Sequence, residues 1–227
     1  ALPAWDRRGR RRPMSPPPPA EDVPQLDPRA RALLWGAIAL CVGIELVLQA
    51  ADHGLIGDRR WRGLAYDYGA FWSQLLRGWR PNYAAQPWTM FASYAVLHGG
   101  LWHLTFNMVT LWSLGRAVAE RAGAGGLASL LAGGTLGGAV GHGLLSAAPV
   151  PMVGASGALF GLAGALLVWA WADRRDARET QRPVIVAALV LVGINLVMWW
   201  ALKGQLAWQA HLGGFVAGAA LAPRRRG

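Results

Sequence analysis

Residues 151–172, PMVGASGALFGLAGALLVWAWA, contain no charged side chain and one serine, which stands near the beginning of the run. About twenty apolar residues is the length a helix needs to cross the hydrocarbon core of a bilayer. The run therefore predicts a membrane-spanning helix. Five further apolar stretches lie at about 32–51, 91–114, 126–147, 183–202 and 206–222, and only the first holds an Asp, Glu, Lys or Arg, namely Glu45. Composition agrees, since 54% of the 227 residues are hydrophobic, 13 are tryptophan and the mean hydropathy is +0.27, too apolar for an ordinary soluble domain of this size. The expected fold class is an all-α membrane protein, a bundle of six transmembrane helices filling residues 31–223 as one domain.

The formal charge of +10 raises nucleic acid as a partner, but the placement of the arginines argues for no nucleic acid. They gather at the chain ends and in short connections between apolar runs, the pattern that orients membrane proteins with positive charge toward the cytoplasm. Residues 1–30 hold Arg7, Arg8, Arg10, Arg11 and Arg12 and then Pro16 to Pro19, which reads as a disordered cytoplasmic tail. That tail is too long and too polar to be a cleavable signal, and Met14 is an alternative start. Arg116 and Arg121, the DRRDARETQR segment at 173–182, and the basic end at 224–227 fall on the same side as the tail. Both termini are therefore expected in the cytoplasm, although Arg59, Arg60, Arg62, Arg77 and Arg80 in the connection 52–90 count the other way. That connection is rich in Trp and Tyr, so it reads either as short helices half submerged at the outer interface or as a small folded cap. The single cysteine, Cys41, forms no intramolecular disulfide.

With this topology several polar residues share one depth. His98, His103 and Asn107 fall in the outer half of the second span, Ser156 near the outer end of the fourth, and His211 in the first turns of the sixth, with Ser156 and His211 each roughly 5 to 10 Å inside the interface at 1.5 Å per residue. Polar groups within a membrane are functional candidates. A serine hydroxyl needs a base within hydrogen-bond reach to act as a nucleophile, and His211 is the candidate. His103 and Asn107, four residues apart, share a helical face and can donate to one oxygen. Gly157 and Gly161 on the serine helix, and Gly214 and Gly218 beside His211, leave smooth faces for close approach. Gly133, Gly137 and Gly141 form a similar stripe. The plain readings are small-residue helix packing for Ser156, a packed or interfacial side chain for His211, and an interhelical polar contact for His103 with Asn107. No Asp or Glu lies in the outer halves of the second, fourth or sixth spans to orient His211, so an aromatic ring or another helix must hold the imidazole. No metal and no cofactor are expected, because zinc-ligand spacing such as HExxH is missing.

The segments HGGLWHLTFNMVTLWSLGRAVAE (98–120), GASGALFG (154–161) and HLGGFVAG (211–218) resemble the three motifs of the rhomboid intramembrane serine proteases, in the family's order and on its second, fourth and sixth helices. The resemblance spans about residues 32–222. It implies Ser156 as nucleophile, His211 as general base, and His103 and Asn107 with the Ser156 backbone N–H as the oxyanion site. It further implies Gly154 beside the scissile bond and His98 as a structural histidine. Many members carry a Trp-Arg pair shortly before the second helix; the nearest equivalents here are Trp79-Arg80, further upstream, and Pro87-Trp88-Thr89. The implied protein is a prokaryotic, six-span form in a bacterial inner (plasma) membrane. It would hydrolyse transmembrane segments of other membrane proteins near their outer ends, the bilayer being its other partner. The alternative is a catalytically silent member of the same fold that binds such segments for quality control. A small transporter fits less well, because the polar groups gather near one surface and no inverted repeat is evident.

Overall fold

The computed structural model of the protein describes residues 26–222. It contains seven α-helices among those residues: α1 (Pro28–Asp52), α2 (Trp61–Gly69), α3 (Gln86–Ser93), α4 (Leu101–Leu145), α5 (Ser156–Asp176), α6 (Arg182–Ala201) and α7 (Trp208–Leu221). The tail expected over 1–30 and the basic end expected over 224–227 lie outside the described residues, except that α1 already begins at Pro28. The sequence provides for that start: Pro28 fits the first turn, where a missing N–H costs nothing, and the Asp27 side chain accepts from Arg29 N at 2.9 Å.

The second and third apolar stretches form one helix with a sharp break. At Gly123 the backbone takes φ 67° and ψ −175° inside α4, a left-handed conformation natural to glycine. The chain doubles back there. The Phe71 ring lies 6.2 Å from Tyr94, just before α4, and 5.8 Å from His142, near the end of α4. The second span also starts later than the expected position near residue 91. Residues 86–93 form the separate helix α3, a short 3-10 turn follows at 94–96, and Gly100 precedes α4 at φ 114°. The Gly99-Gly100 pair divides an apolar stretch that hydropathy alone reads as continuous. His98 consequently stands in the turn ahead of the helix rather than on the span.

Helices α1, α4, α5 and α6 are long and apolar enough to cross a membrane, and α4, folded at Gly123, accounts for two of the expected passes. Helix α7 has 14 residues, about 21 Å at the α-helical rise, and is the shortest of the six apolar segments. It is wedged between α4 and α5. Glycines make that wedge possible. A Cβ on Gly134 would lie 2.9 Å from Ala158 Cα, one on Gly161 2.8 Å from Gly134 Cα, and one on Gly141 2.8 Å from Gly213 Cα. On the α5 to α7 contact, Cβ atoms on Gly214 or Gly218 would run into the carbonyls of Gly157 and Gly161. The stripe Gly133, Gly137, Gly141 faces α7, the neighbouring Gly134 faces α5, and Gly138 lies between Gly157 of α5 and Ala210 of α7. These three segments touch backbone to backbone, the closest packing that helices achieve.

The other elements are arranged around that core. Helix α1 packs along α4, with Leu34 and Cys41 in the same apolar cluster as Leu104, Leu111 and Leu162. Helix α6 is the most weakly held, because it lies mainly along α5 and buries only Val184. The connection 52–90 folds into α2, a 3-10 turn at 73–77 and the start of α3, matching the short-helix reading. It is tied to the core by Arg62. This guanidinium donates to Glu45 at 2.9 Å, to Asp52 at 2.6 Å and to the His98 carbonyl at 3.2 Å. Burial opposes the cation, but the hydrogen bonds to Glu45, Tyr66 and Asp52 outweigh it and hold the Arg62 pKa above its ordinary value.

Candidate active site

Ser156 is the first residue of α5, and the residue before it, Ala155, offers no side-chain cap. The opening N–H groups of the helix are thus left free of any capping side chain, and they present positive charge where α5 begins. The approach to this turn is tightly fixed. Phe71 and Met152 exchange backbone hydrogen bonds at 3.0 and 2.9 Å, and Gly154 N donates to Tyr94 O at 3.0 Å. Gly154 adopts φ 122°, and a Cβ there would meet Nε2 of His103 at 2.8 Å. Both the conformation and the contact require glycine. They bring the segment before Ser156 against the imidazole of His103.

From the other side, α7 presents His211. The glycine faces predicted to allow close approach do meet, Gly214 against Gly157 and Gly218 against Gly161. Ser156 Oγ and His211 Nε2 are 2.9 Å apart, a normal hydrogen-bond separation. Two contacts hold the imidazole. Phe160, one turn beyond Ser156, stacks on it at 4.2 Å between centroids with an interplanar angle of 4°. Asn195 of α6 approaches with Oδ1 2.6 Å from Nδ1. The aromatic ring and the second helix are the kinds of support expected once no carboxylate was found. Asn195 was not legible as the partner of His211 because it is an amide, not a carboxylate, and lies on the fifth span. A lone amide in the otherwise apolar run RPVIVAALVLVGINLVMWWA was the available signal.

His103 and Asn107 stand on the first half of α4, one turn apart. Gly99 N donates to His103 Nδ1 at 3.1 Å, which makes Nδ1 the acceptor and leaves the proton on Nε2, the ring nitrogen on the Gly154 side. Asn107 is buried and donates through Nδ2 to His103 O at 2.8 Å, while its Oδ1 has no partner. Asn107, Thr110, Ser156, Phe160 and Leu191 line a cavity of about 170 Å³ between α4, α5 and α6. His98 is fully buried with both ring nitrogens unpartnered, and its ring meets that of His103 edge to face at 5.3 Å. Its carbonyl accepts from Tyr66 Oη at 2.7 Å and from Arg62. Trp79 and Arg80 lie exposed; the guanidinium that reaches this region is that of Arg62, and sequence reading missed it. Of the expected residues, Asn107 and Ser156 line this cavity, His211 meets Ser156, and His103 lies against Gly154 with His98 beside it. Among the described residues no group of three or more His, Cys, Asp or Glu side chains is placed to hold a metal.

A helical membrane bundle with a serine and a histidine facing each other across glycine-lined helices defines a class, and sequence comparison gives the family. The model of the Rhomboid domain matches residues 84–225, and the chain belongs to the rhomboid family. It is 34% identical over 131 residues to Rhomboid protease GluP of Bacillus subtilis, a match covering 58% of this chain and 25% of that protein. It is 28% identical over 194 residues to Rhomboid protease GlpG of Klebsiella pneumoniae, covering 83% of this chain and 61% of that one. The chain thus spans a quarter of the first relative and about three-fifths of the second. Family membership and the apolar helices together make it a multi-pass membrane protein.

Proposed function

We propose that this chain is an intramembrane serine endopeptidase that cuts transmembrane segments of other membrane proteins near their outer ends. The observation that carries this reading is the 2.9 Å approach of Ser156 Oγ to His211 Nε2 inside the helical bundle, in a chain similar to two rhomboid proteases. His211 takes the hydroxyl proton as Ser156 Oγ attacks the carbonyl carbon of the scissile peptide bond. The resulting oxyanion is met by the Ser156 N–H at the start of α5, by the Nε2–H of His103 and by the second amide proton of Asn107. His211 then protonates the leaving amine, and a water entering from the outer side, activated in turn by His211, hydrolyses the acyl-enzyme. Gly154 lies beside the scissile bond, where a side chain would obstruct both substrate and His103. His98, whose ring nitrogens accept and donate no hydrogen bond and whose ring meets that of His103 edge to face, acts by filling space behind His103. No metal or cofactor takes part.

The topology that fits this chemistry sets both termini in the cytoplasm and the Ser156 end of α5 toward the outside of an inner (plasma) membrane. Residues 31–223 then form the catalytic membrane domain, with a basic cytoplasmic tail and a basic cytoplasmic end. The test is cleavage of a model single-span substrate by the purified protein in liposomes. Ser156→Ala and His211→Ala should each abolish cleavage, and an isocoumarin should label the wild type but not Ser156→Ala. Equal cleavage by wild type and both variants would remove the assignment. A wild type that binds the substrate without cutting it would leave the silent binding reading in its place.

A further inference from the structure

The contact between α6 and His211 carries information about the proton on the imidazole. Asn195 is half-buried and makes two hydrogen bonds. Its Nδ2 donates to Leu191 O, one turn earlier on α6, at 2.9 Å, and its Oδ1 faces His211 Nδ1 at 2.6 Å. The first bond fixes the second. If the amide were reversed, its oxygen would oppose the Leu191 carbonyl, with two acceptors in contact and no proton between them. With Oδ1 toward His211, the atom facing it must donate, so the proton of the neutral ring is on Nδ1. Nε2 is left with a lone pair, and that lone pair points at Ser156 Oγ, 2.9 Å away.

The geometry points to Asn195 as a positioning residue that selects the reactive tautomer of His211, forming a Ser156–His211–Asn195 relay whose third member is supplied by α6. Phe160 has a different role. A flat stack at 4.2 Å keeps the ring in its plane but touches both tautomers alike. Only an in-plane acceptor distinguishes them and sets the rotation about the ring axis. When Nε2 receives the serine proton, the Nδ1 proton stays on the ring and the amide dipole of Asn195 faces the new cation. A neutral amide suits this place better than a carboxylate, because α6 is scarcely buried by protein and an unpaired charge in an apolar phase is expensive.

The kinetic arm rests on the protease reading; the spectroscopic arm does not. Full-length protein labelled with 15N on its histidine rings is reconstituted in lipid, and the His211 resonances are identified by their loss in His211→Gln. The expected result is a protonated Nδ1 and an unprotonated Nε2 in the wild type, changing to a mixture in Asn195→Ala. With the model substrate, Asn195→Ala should lower kcat by roughly tenfold or more while KM changes less than about twofold and the thermal midpoint is preserved. Asn195→Asp keeps an acceptor at this position and should return the proton to Nδ1, with kcat recovered only in part because an unpaired carboxylate is costly there. A wild-type His211 protonated on Nε2 would overturn the inference, as would an Asn195→Ala enzyme with unchanged kcat and tautomer. A loss of kcat with no change in tautomer would also overturn it, because Asn195 would then act through packing. If the tautomer changes as stated but no protein cleaves the substrate, Asn195 keeps its positioning role and the protease reading alone fails.

Discussion

Replacing Gly214 with alanine tests whether the serine and histidine are held together by backbone contact between α5 and α7. A Cβ at this position would lie 2.8 Å from Gly157 C and 3.2 Å from Gly134 O, and closer still to Gly157 O. Relaxed carbon contacts lie at about 3.5 to 4.0 Å, so α7 must retreat by about 1 Å. No rotamer change relieves the clash, because every atom met belongs to a helix backbone. Gly214 is one turn from His211, and Gly157 follows Ser156, so the retreat is felt directly at the dyad. The 2.9 Å separation becomes roughly 4 Å, beyond hydrogen bonding. Overpacking of this kind costs about 1 to 3 kcal/mol, and a displacement near 1 Å can cost about a hundredfold in turnover. Gly214→Ala should therefore remain folded, with a lowered thermal midpoint, and lose nearly all cleavage of the model substrate. The control is Gly43→Ala on the exposed face of α1, where the added methyl meets nothing within 4 Å. It should gain about 0.5 to 1 kcal/mol from helix propensity and keep full activity. Wild-type turnover in Gly214→Ala, or an equal loss in Gly43→Ala, would refute the reasoning.

Two further predictions concern the polar groups around this core. Arg62→Ala leaves Glu45, whose side chain is 1% exposed, as an unpaired buried charge. The expected cost is about 3 to 5 kcal/mol, seen as a lower thermal midpoint, with most of it recovered when Glu45→Gln is added; an unchanged midpoint would show the network to be idle. Asn107→Ala should lower kcat by roughly ten- to a thousandfold with the midpoint preserved, the range for removing one oxyanion donor, and an unaltered rate would take Asn107 out of that role.

The sequence made the apolar segments legible because they hold at most one charged side chain, Glu45 in the first, and it made the glycine stripes legible because their four-residue spacing is a helical repeat. It was less informative where the backbone departs from periodicity. Residues 91–100 are as apolar as the helix that follows, and only Gly99-Gly100 marks the interruption that puts His98 in a turn. The break at Gly123 falls in the connection expected between 114 and 126, where Gly123, Gly125 and Gly126 stand close together and any of them could have hosted it. Ser156, His211, His103 and Asn107 were found because each is polar in an apolar context and because the expected topology brought them to one depth. Arg62 was passed over for the opposite reason. It sits in a connection already full of arginines, and nothing local distinguishes it from Arg59 or Arg60. Its partners, Glu45 and the His98 carbonyl, are 17 and 36 residues away, so its role exists only in the folded chain.

Asn195 was hidden by a different cause, and that cause says how the site is built. The positions of Ser156 and His211 follow from contacts between main chains, in which the partners are Gly134, Gly157, Gly161 and Gly214 and no side chain can adapt. That geometry does not depend on α6, which buries almost nothing against the bundle. What α6 adds is a single acceptor aimed at Nδ1. The distance between Ser156 and His211 is thus set by contacts between main chains, whereas the protonation pattern proposed for His211 rests on a helix that buries little against the bundle. A substitution that loosens α6 without touching Asn195 should therefore leave Ser156 and His211 in place and still reduce turnover, because distance and tautomer have separate structural origins.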